Sequence, residues 1–188
     1  MALQEQDPQV SAGMVRICIY VCPFALGLGI LAIVAASMPK YWLLTRSLDT
    51  EFYLAPRFVT HIDDQAIRAL TKYYLQALPP SNTHGVAILD MCSSWVEPLS
   101  SGYKQENIVG MGMNEDELKK NPVLTEYVLQ DLNLNPKLHF DDNTFDVITN
   151  VVSVDYLTKP MDIFKEMRRI LEPCGLAIMS HIHLYINW

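Results

Sequence analysis

The sequence predicts an α/β fold: a doubly wound parallel sheet preceded by an N-terminal hydrophobic helix. Three observations carry this. From Val86 onward, short and nearly continuous apolar runs alternate with helix-patterned segments, as strands buried on both faces require. Half of the residues are hydrophobic and 19% are charged, so the chain can bury a core. The stretch Ile17 to Met38 has no charge and is long enough to cross a bilayer as a helix. With 188 residues there is room for one domain and an appendage.

The first segment, 1–14, reads as a polar tail carrying Glu5 and Asp7. A transmembrane helix is expected over 15–43. Its glycines and Pro23 suit a membrane helix better than a soluble one. Tyr41 and Trp42 stand where an interfacial belt would lie, and Arg16 and Lys40 flank the run. A cleaved secretory signal is the first rival, opposed by the acidic start and the long apolar core. A transit peptide would be richer in Arg and Ser. A buried soluble helix is the other rival. Basic residues are denser after the run (Lys40, Arg46) than before it (Arg16), which places the C-terminal part of a single-pass protein in the cytosol.

A helical lead-in follows over 52–80. Ile67, Leu70, Tyr74 and Leu78 recur at helical spacing. Asp63 or Asp64 can cap this helix, and Pro79-Pro80 stops it. Residues 81–180 hold the alternating pattern. Strands are expected at Val86–Asp90, Ile108–Gly112, Tyr127–Asp131, Phe145–Val152 and Gly175–Ser180. Helices are expected at Asn114–Lys120, with Asn114 as a possible cap, and at Met161–Leu171. Pro173-Cys-Gly175 is the turn out of the last one. An atypical tail closes the chain over 181–188.

Composition removes several function classes. A net charge of −7 and a pI near 5.1 argue against a nucleic-acid-binding surface. Lys119-Lys120 and Arg168-Arg169 are short pairs that read as solvated helix faces. Cys18, Cys22, Cys92 and Cys174 form no zinc-ribbon pattern and no disulfide scaffold, so a reducing compartment is the default. His181 and His183 have no third ligand nearby, and no metal is expected. There is no G-x-G-x-x-G turn of a nicotinamide dehydrogenase, no P-loop and no HExxH.

In an open parallel sheet, ligands bind beyond the C-terminal strand ends, where the strand order reverses. That selects Asp90–Trp95, Gly112–Asn114, Asp131–Asn133 and Asn150–Ser153. Within these, Ile88-Leu-Asp-Met-Cys-Ser-Ser-Trp95 stands where class I S-adenosylmethionine-dependent methyltransferases carry strand one and a Gly-rich turn. Gln130-Asp131-Leu132 resembles the family's acid after strand three. Phe140-Asp-Asp-Asn-Thr-Phe-Asp-Val-Ile-Thr-Asn150 resembles its F-x-D-x-x-F-D-x-I approach to strand four. Phe164 to Ser180 is similar to its helix, L-x-P-G-G turn and strand five. These ordered blocks resemble the class I superfamily, methyltransferase type 11-like, with a Rossmann-like domain. The stretch from Phe58 to Ser180 further resembles a plant and algal branch with the same Arg-Phe-Val-Thr-His-Ile-Asp-Asp lead-in. That match implies no substrate; a plastid is the alternative location.

The resemblance implies S-adenosylmethionine as cofactor and an unknown methyl acceptor, a small molecule or lipid being favoured, with a membrane contact through 17–38. It implies cofactor contacts at Asp90, Cys92, Ser93 and Ser94, at Gly112, Met113 and Asn114, at Asp131 and Leu132, and at Asn150. Asp131 would meet the adenine amino group. Ser153, Asp155, Tyr156 and His61 are further candidates for the transfer site. No catalytic residue is assigned, because the family has no fixed one. Two departures stand out. The family's Asp-x-Gly-x-Gly turn has Cys92 and Ser94 at its glycine positions, and Gly112 stands where an acid usually binds the ribose hydroxyls. Asn114, or the backbone near Met113, would have to replace that acid. The family's strand order is 3-2-1-4-5-7-6, and the chain stops shortly after strand five. The expectation is a truncated, incomplete class I fold with strand five as an exposed edge, covered in part by the apolar tail. The alternative to an enzyme is a methyltransferase-like interaction module or shortened isoform with a degraded cofactor site.

Overall fold

Ile88 and Leu89 are neighbours in sequence and lie in opposite layers of the core, as strand geometry demands. The computed structural model describes residues 14–21, 52–60, 62–95, 99 and 102–183. These form β1 (Met14–Val21), α1 (Asp64–Ala77), β2 (Ala87–Met91), β3 (Asn107–Gly112), α2 (Glu115–Lys120), β4 (Glu126–Leu129), β5 (Phe145–Val151), a 3-10 turn (Val154–Tyr156), α3 (Pro160–Ile170) and β6 (Leu171–His183). The sheet order is β1-β6-β5-β2-β3-β4. The five strands from β6 to β4 are mutually parallel.

Leu89, Val109 and Ile148 pack beneath α3, which turns Ile163, Phe164, Met167 and Ile170 toward the sheet. Ile88, Ile108, Val147 and Ile178 form the other layer, with Tyr74 of α1 and Leu78 just beyond its end. Each large apolar side chain buried this way stabilises the fold by about 1.5–3 kcal/mol. Asp63 caps α1, its Oδ1 accepting from the Ala66 N–H at 2.8 Å. Arg169 of α3 clamps the approach to β5. It donates to the carbonyls of Leu138 and Phe140 and pairs with Asp142 and Glu166. The guanidinium holds the Glu166 carboxyl below its ordinary range, against the opposing effect of burial.

The parallel strands therefore run in the order third, second, first, fourth, fifth, as expected for a doubly wound sheet. Two expectations change at its edge. The hydrophobic helix expected from residue 15 is, over Met14–Val21, a strand antiparallel to β6, with Ile17 opposite Ser180 and Val21 opposite Leu176. Val15, Ile17, Ile19 and Val21 alternate at strand period, and β-branched residues favour the extended chain. The rest of the expected span, 22–43, lies outside the described residues. Among the described residues no helix is long and apolar enough to cross a membrane. The second change follows from the first: the fifth parallel strand is not an exposed edge, because β1 pairs along it. The tail 184–188 lies outside the described residues.

The Pro173-Cys-Gly175 turn is absorbed into β6 as an irregularity. The register steps from Phe145 opposite Leu171 to Val147 opposite Leu176.

Candidate functional site

The strand order reverses between β2 and β5, so their C-terminal ends face the crevice such sheets use for ligands. Asp90 is buried there, and the Thr149 hydroxyl donates to its Oδ1 at 2.7 Å across the ladder. Next to it, Asn150 Nδ2 donates to the Met91 carbonyl at 3.3 Å. Asn150 Oδ1 is buried and has no hydrogen-bond partner among the described residues. The chain then turns at Cys92, whose φ is 58°. That is the left-handed conformation a glycine adopts freely and other residues adopt at a cost. The turn is pinned by the Ser93 N–H, which donates to the Met111 carbonyl at 2.7 Å. Ser93 Oγ is a second buried atom with no partner among the described residues. At the end of β5, Val152 also has positive φ, 55°, which is strained for a β-branched residue. Its N–H donates to the Ser180 carbonyl at 2.9 Å.

Cysteine stands twice where the resembled family carries glycine, and both positions keep the glycine conformation. Cys174, in the turn before the final strand segment, has φ 68°.

The β3 side is built differently. A Cβ on Gly112 would lie 2.6 Å from the Ser93 carbonyl oxygen and 3.1 Å from Leu118 Cδ2. Glycine is thus required so that the first turn can close on β3. Met113 is half-buried beyond it. Asn114 caps α2, its Oδ1 accepting from the Glu117 N–H at 3.1 Å, while its Nδ2 donates to the Tyr53 carbonyl at 3.0 Å. Each of these two atoms keeps one further hydrogen-bonding position, so a ribose contact would share the amide with these bonds. Ser94 Oγ donates to Glu117 Oε2 at 2.7 Å, and the Ser94 carbonyl accepts from Asn121 Nδ2 at 2.8 Å. Glu117 Oε1 accepts from the Arg57 N–H at 2.6 Å.

These contacts bring residues 52–59 across this end of the sheet as a strap. Trp95 Nε1 donates to the Val59 carbonyl at 3.2 Å, the Phe58 and Trp95 rings meet edge to face, and Lys120 Nζ lies 3.5 Å from the Phe58 ring centre. Lys119 pairs with Glu115 at 2.9 Å. Of the two basic pairs expected to be solvated, Lys119, Lys120 and Arg168 are exposed, while Arg169 is half-buried in its clamp.

Beyond β4, Asp131 Oδ1 accepts from the N–H groups of Asn133 at 2.8 Å and Leu134 at 3.2 Å, so one carboxylate oxygen shapes its own loop. Leu132 is buried in the core layer beneath α3 and anchors that loop. Asn133 ties it to the segment after β5, accepting from the Thr158 N–H at 2.7 Å and donating to the Tyr156 carbonyl at 3.1 Å. Ser153 Oγ turns back to the Val151 carbonyl. His61 lies outside the described residues.

The ten positions selected from the sequence thus lie on the C-terminal side of β2, β3, β4 and β5. Sequence reasoning missed Glu117, Thr149 and Arg57. Asn114-x-x-Glu117 has the spacing of a capping box, which would send the Glu117 carboxyl back to its own helix terminus. It reaches the turn and the strap instead, and no local signal shows that.

The model of the methyltransferase domain family matches residues 95–179. The resemblance to class I methyltransferases is therefore shown over that stretch. It contains Gly112, Met113, Asn114, Asp131, Leu132 and Asn150, and it begins just after the Asp90–Ser94 turn. No curated protein matches the chain. Among solved structures, one similar to it is a Haloferax volcanii complex between the Trm112 methyltransferase activator and a protein assigned as a methyltransferase. That match has 17% identity, covers 61% of this chain and 52% of that one, and has a TM-score of 0.49. An S-adenosylmethionine-dependent methyltransferase from Mesorhizobium loti shares 21% identity, over 61% of this chain and 51% of its own, with a TM-score of 0.43. The chain spans about half the length of these structures.

Proposed function

We propose that the chain, matched to a methyltransferase domain over residues 95–179, binds S-adenosylmethionine at the ends of β2 and β5 and belongs to a methyltransferase. The observation that carries this is that two of the buried polar atoms without a partner among the described residues, Ser93 Oγ and Asn150 Oδ1, lie together at the strand-order reversal. Buried polar atoms are rarely left unsatisfied, and such exceptions point to a missing ligand or water. Asp90, fixed by Thr149, would order the first turn. Cys92, Ser93 and Ser94 would line it, and Gly112, Met113 and Asn114 would border the ribose side. Asp131 has one oxygen in its loop and would offer the other to an adenine amino group.

The cofactor supplies an activated methyl group on a sulfonium, so the protein needs to hold donor and acceptor in line and exclude water more than to move protons. Asn133, by tying the loops after β4 and β5 together, fixes the rim on which an acceptor would sit. The acceptor itself follows from nothing in this geometry.

A second reading is a non-enzymatic module of the same fold. It is favoured by one observation: the polar groups on the ribose side, Asn114 and Glu117, are already bonded to the strap. Calorimetric titration of the full chain with S-adenosylhomocysteine separates the two. Micromolar binding, weakened in Asp90→Ala and Asp131→Ala, supports the first. No binding by the folded chain moves the assignment to the second.

A further inference from the structure

Residues 52–59 are held to the domain in an unusual manner. Leu54 and Val59 are largely exposed, and Phe58 is the side chain that packs on the domain, against Trp95 and Lys120. The strap's remaining hold on the domain is through its backbone. The Arg57 N–H donates to Glu117, and the carbonyls of Tyr53 and Val59 accept from Asn114 and Trp95. All three partners stand at or beside the candidate site. Glu117 is the centre of this arrangement. It is 3% exposed, and its two oxygens hold two segments far apart in sequence: the strap through Arg57 and the first turn through Ser94. A hydrogen bond to a carboxylate is stronger than one between neutral groups. A carboxylate shared by two loops makes the position of each depend on the other.

We propose that Glu117 is a positioning residue that latches the strap to the first turn, so that strap docking and cofactor binding favour one another. The coupling rests on the cofactor reading above; the latch itself does not. Linkage requires the effect to be reciprocal: if the docked strap sets the turn that the ligand needs, the ligand must stabilise the docked strap.

Amide hydrogen exchange on the full chain tests this at Arg57, with Leu89 in β2 as the report on the fold. S-adenosylhomocysteine is expected to slow exchange at Arg57. Glu117→Gln is expected to speed it by about tenfold without ligand, the scale of replacing a charged acceptor by a neutral amide oxygen, while Leu89 stays protected. If Glu117→Gln also exposes Leu89, Ser94→Ala decides, measured with S-adenosylhomocysteine at a concentration that calorimetry shows to saturate the variant: it leaves the Arg57 bond in place and should abolish only the ligand-dependent slowing. Unchanged Arg57 exchange in Glu117→Gln overturns the latch. Bound ligand that leaves Arg57 exchange unchanged, or speeds it, overturns the coupling. Failure of the wild-type chain to bind ligand overturns the cofactor reading and the coupling with it, and leaves the latch to be judged by the ligand-free comparison.

Discussion

The two halves of the crevice are built to opposite states of completion. On the β2/β5 side, Ser93 Oγ and Asn150 Oδ1 are buried without partners among the described residues. On the β3/α2 side, Asn114, Ser94 and Glu117 are bonded to the strap, the first turn or one another. One half keeps polar atoms that a ligand could bond. The other is closed by the chain itself. Gly112 shows the difference most clearly: a missing acid in the sequence is, in the structure, the space into which the Ser93 carbonyl fits.

The largest test of this contrast is Gly112→Asp, which restores the acid that the resembled family carries. Its Cβ would meet the Ser93 carbonyl at 2.6 Å, and backbone cannot swing away as a side chain can. Overpacking of this kind costs about 1–3 kcal/mol, so thermal denaturation should show a lower midpoint and titration should show lost ligand binding. Tighter binding in a stable variant would break the comparison. Next comes Asn150→Leu, close to isosteric and lacking the unpartnered oxygen. Stability should fall by about 1 kcal/mol through the lost bond to the Met91 carbonyl, while affinity for S-adenosylhomocysteine should fall about tenfold. A loss of stability with affinity intact would mean that the side chain serves only the core.

Asn114→Ala should behave in the reverse way. Losing a helix cap costs about 1 kcal/mol, and the Tyr53 carbonyl loses its donor as well. Denaturant unfolding should register that loss, with a smaller effect on ligand affinity than at Asn150. The smallest effect is expected at Cys92→Gly. Relief of the left-handed backbone outweighs the added freedom of the unfolded chain, for a gain of about 0.5–1 kcal/mol. Parallel measurement of Cys174→Gly shows whether the gain belongs to the conformation or to the site, because Cys174 has the same φ sign away from the crevice.

The parallel sheet was legible because its strands are buried on both faces. Val86–Asp90 is apolar except for its last residue, Phe145–Val152 is mostly apolar, and α3 shows its inward face at Ile163, Phe164, Met167 and Ile170. The N-terminal strand was misread for a physical reason. An uncharged stretch suits a bilayer and a sheet equally well, and length outweighed the alternation of Val15, Ile17, Ile19 and Val21. With 17–21 in the sheet, the uncharged run that remains, 22–38, is at the short limit for a spanning helix. The strap was illegible because its contacts join residues about 60 positions apart, such as Arg57 and Glu117. Cys92 and Cys174 read as departures from a glycine pattern, yet their backbones preserve it.

A crystal structure of the full chain grown with S-adenosylhomocysteine tests the central contrast most directly. The expected result is ligand density beyond the ends of β2 and β5, with a polar ligand atom within hydrogen-bond distance of Asn150 Oδ1 and the Arg57–Glu117 bond intact. Density elsewhere, or a ligand seated only where the strap has been displaced from Glu117, would contradict it.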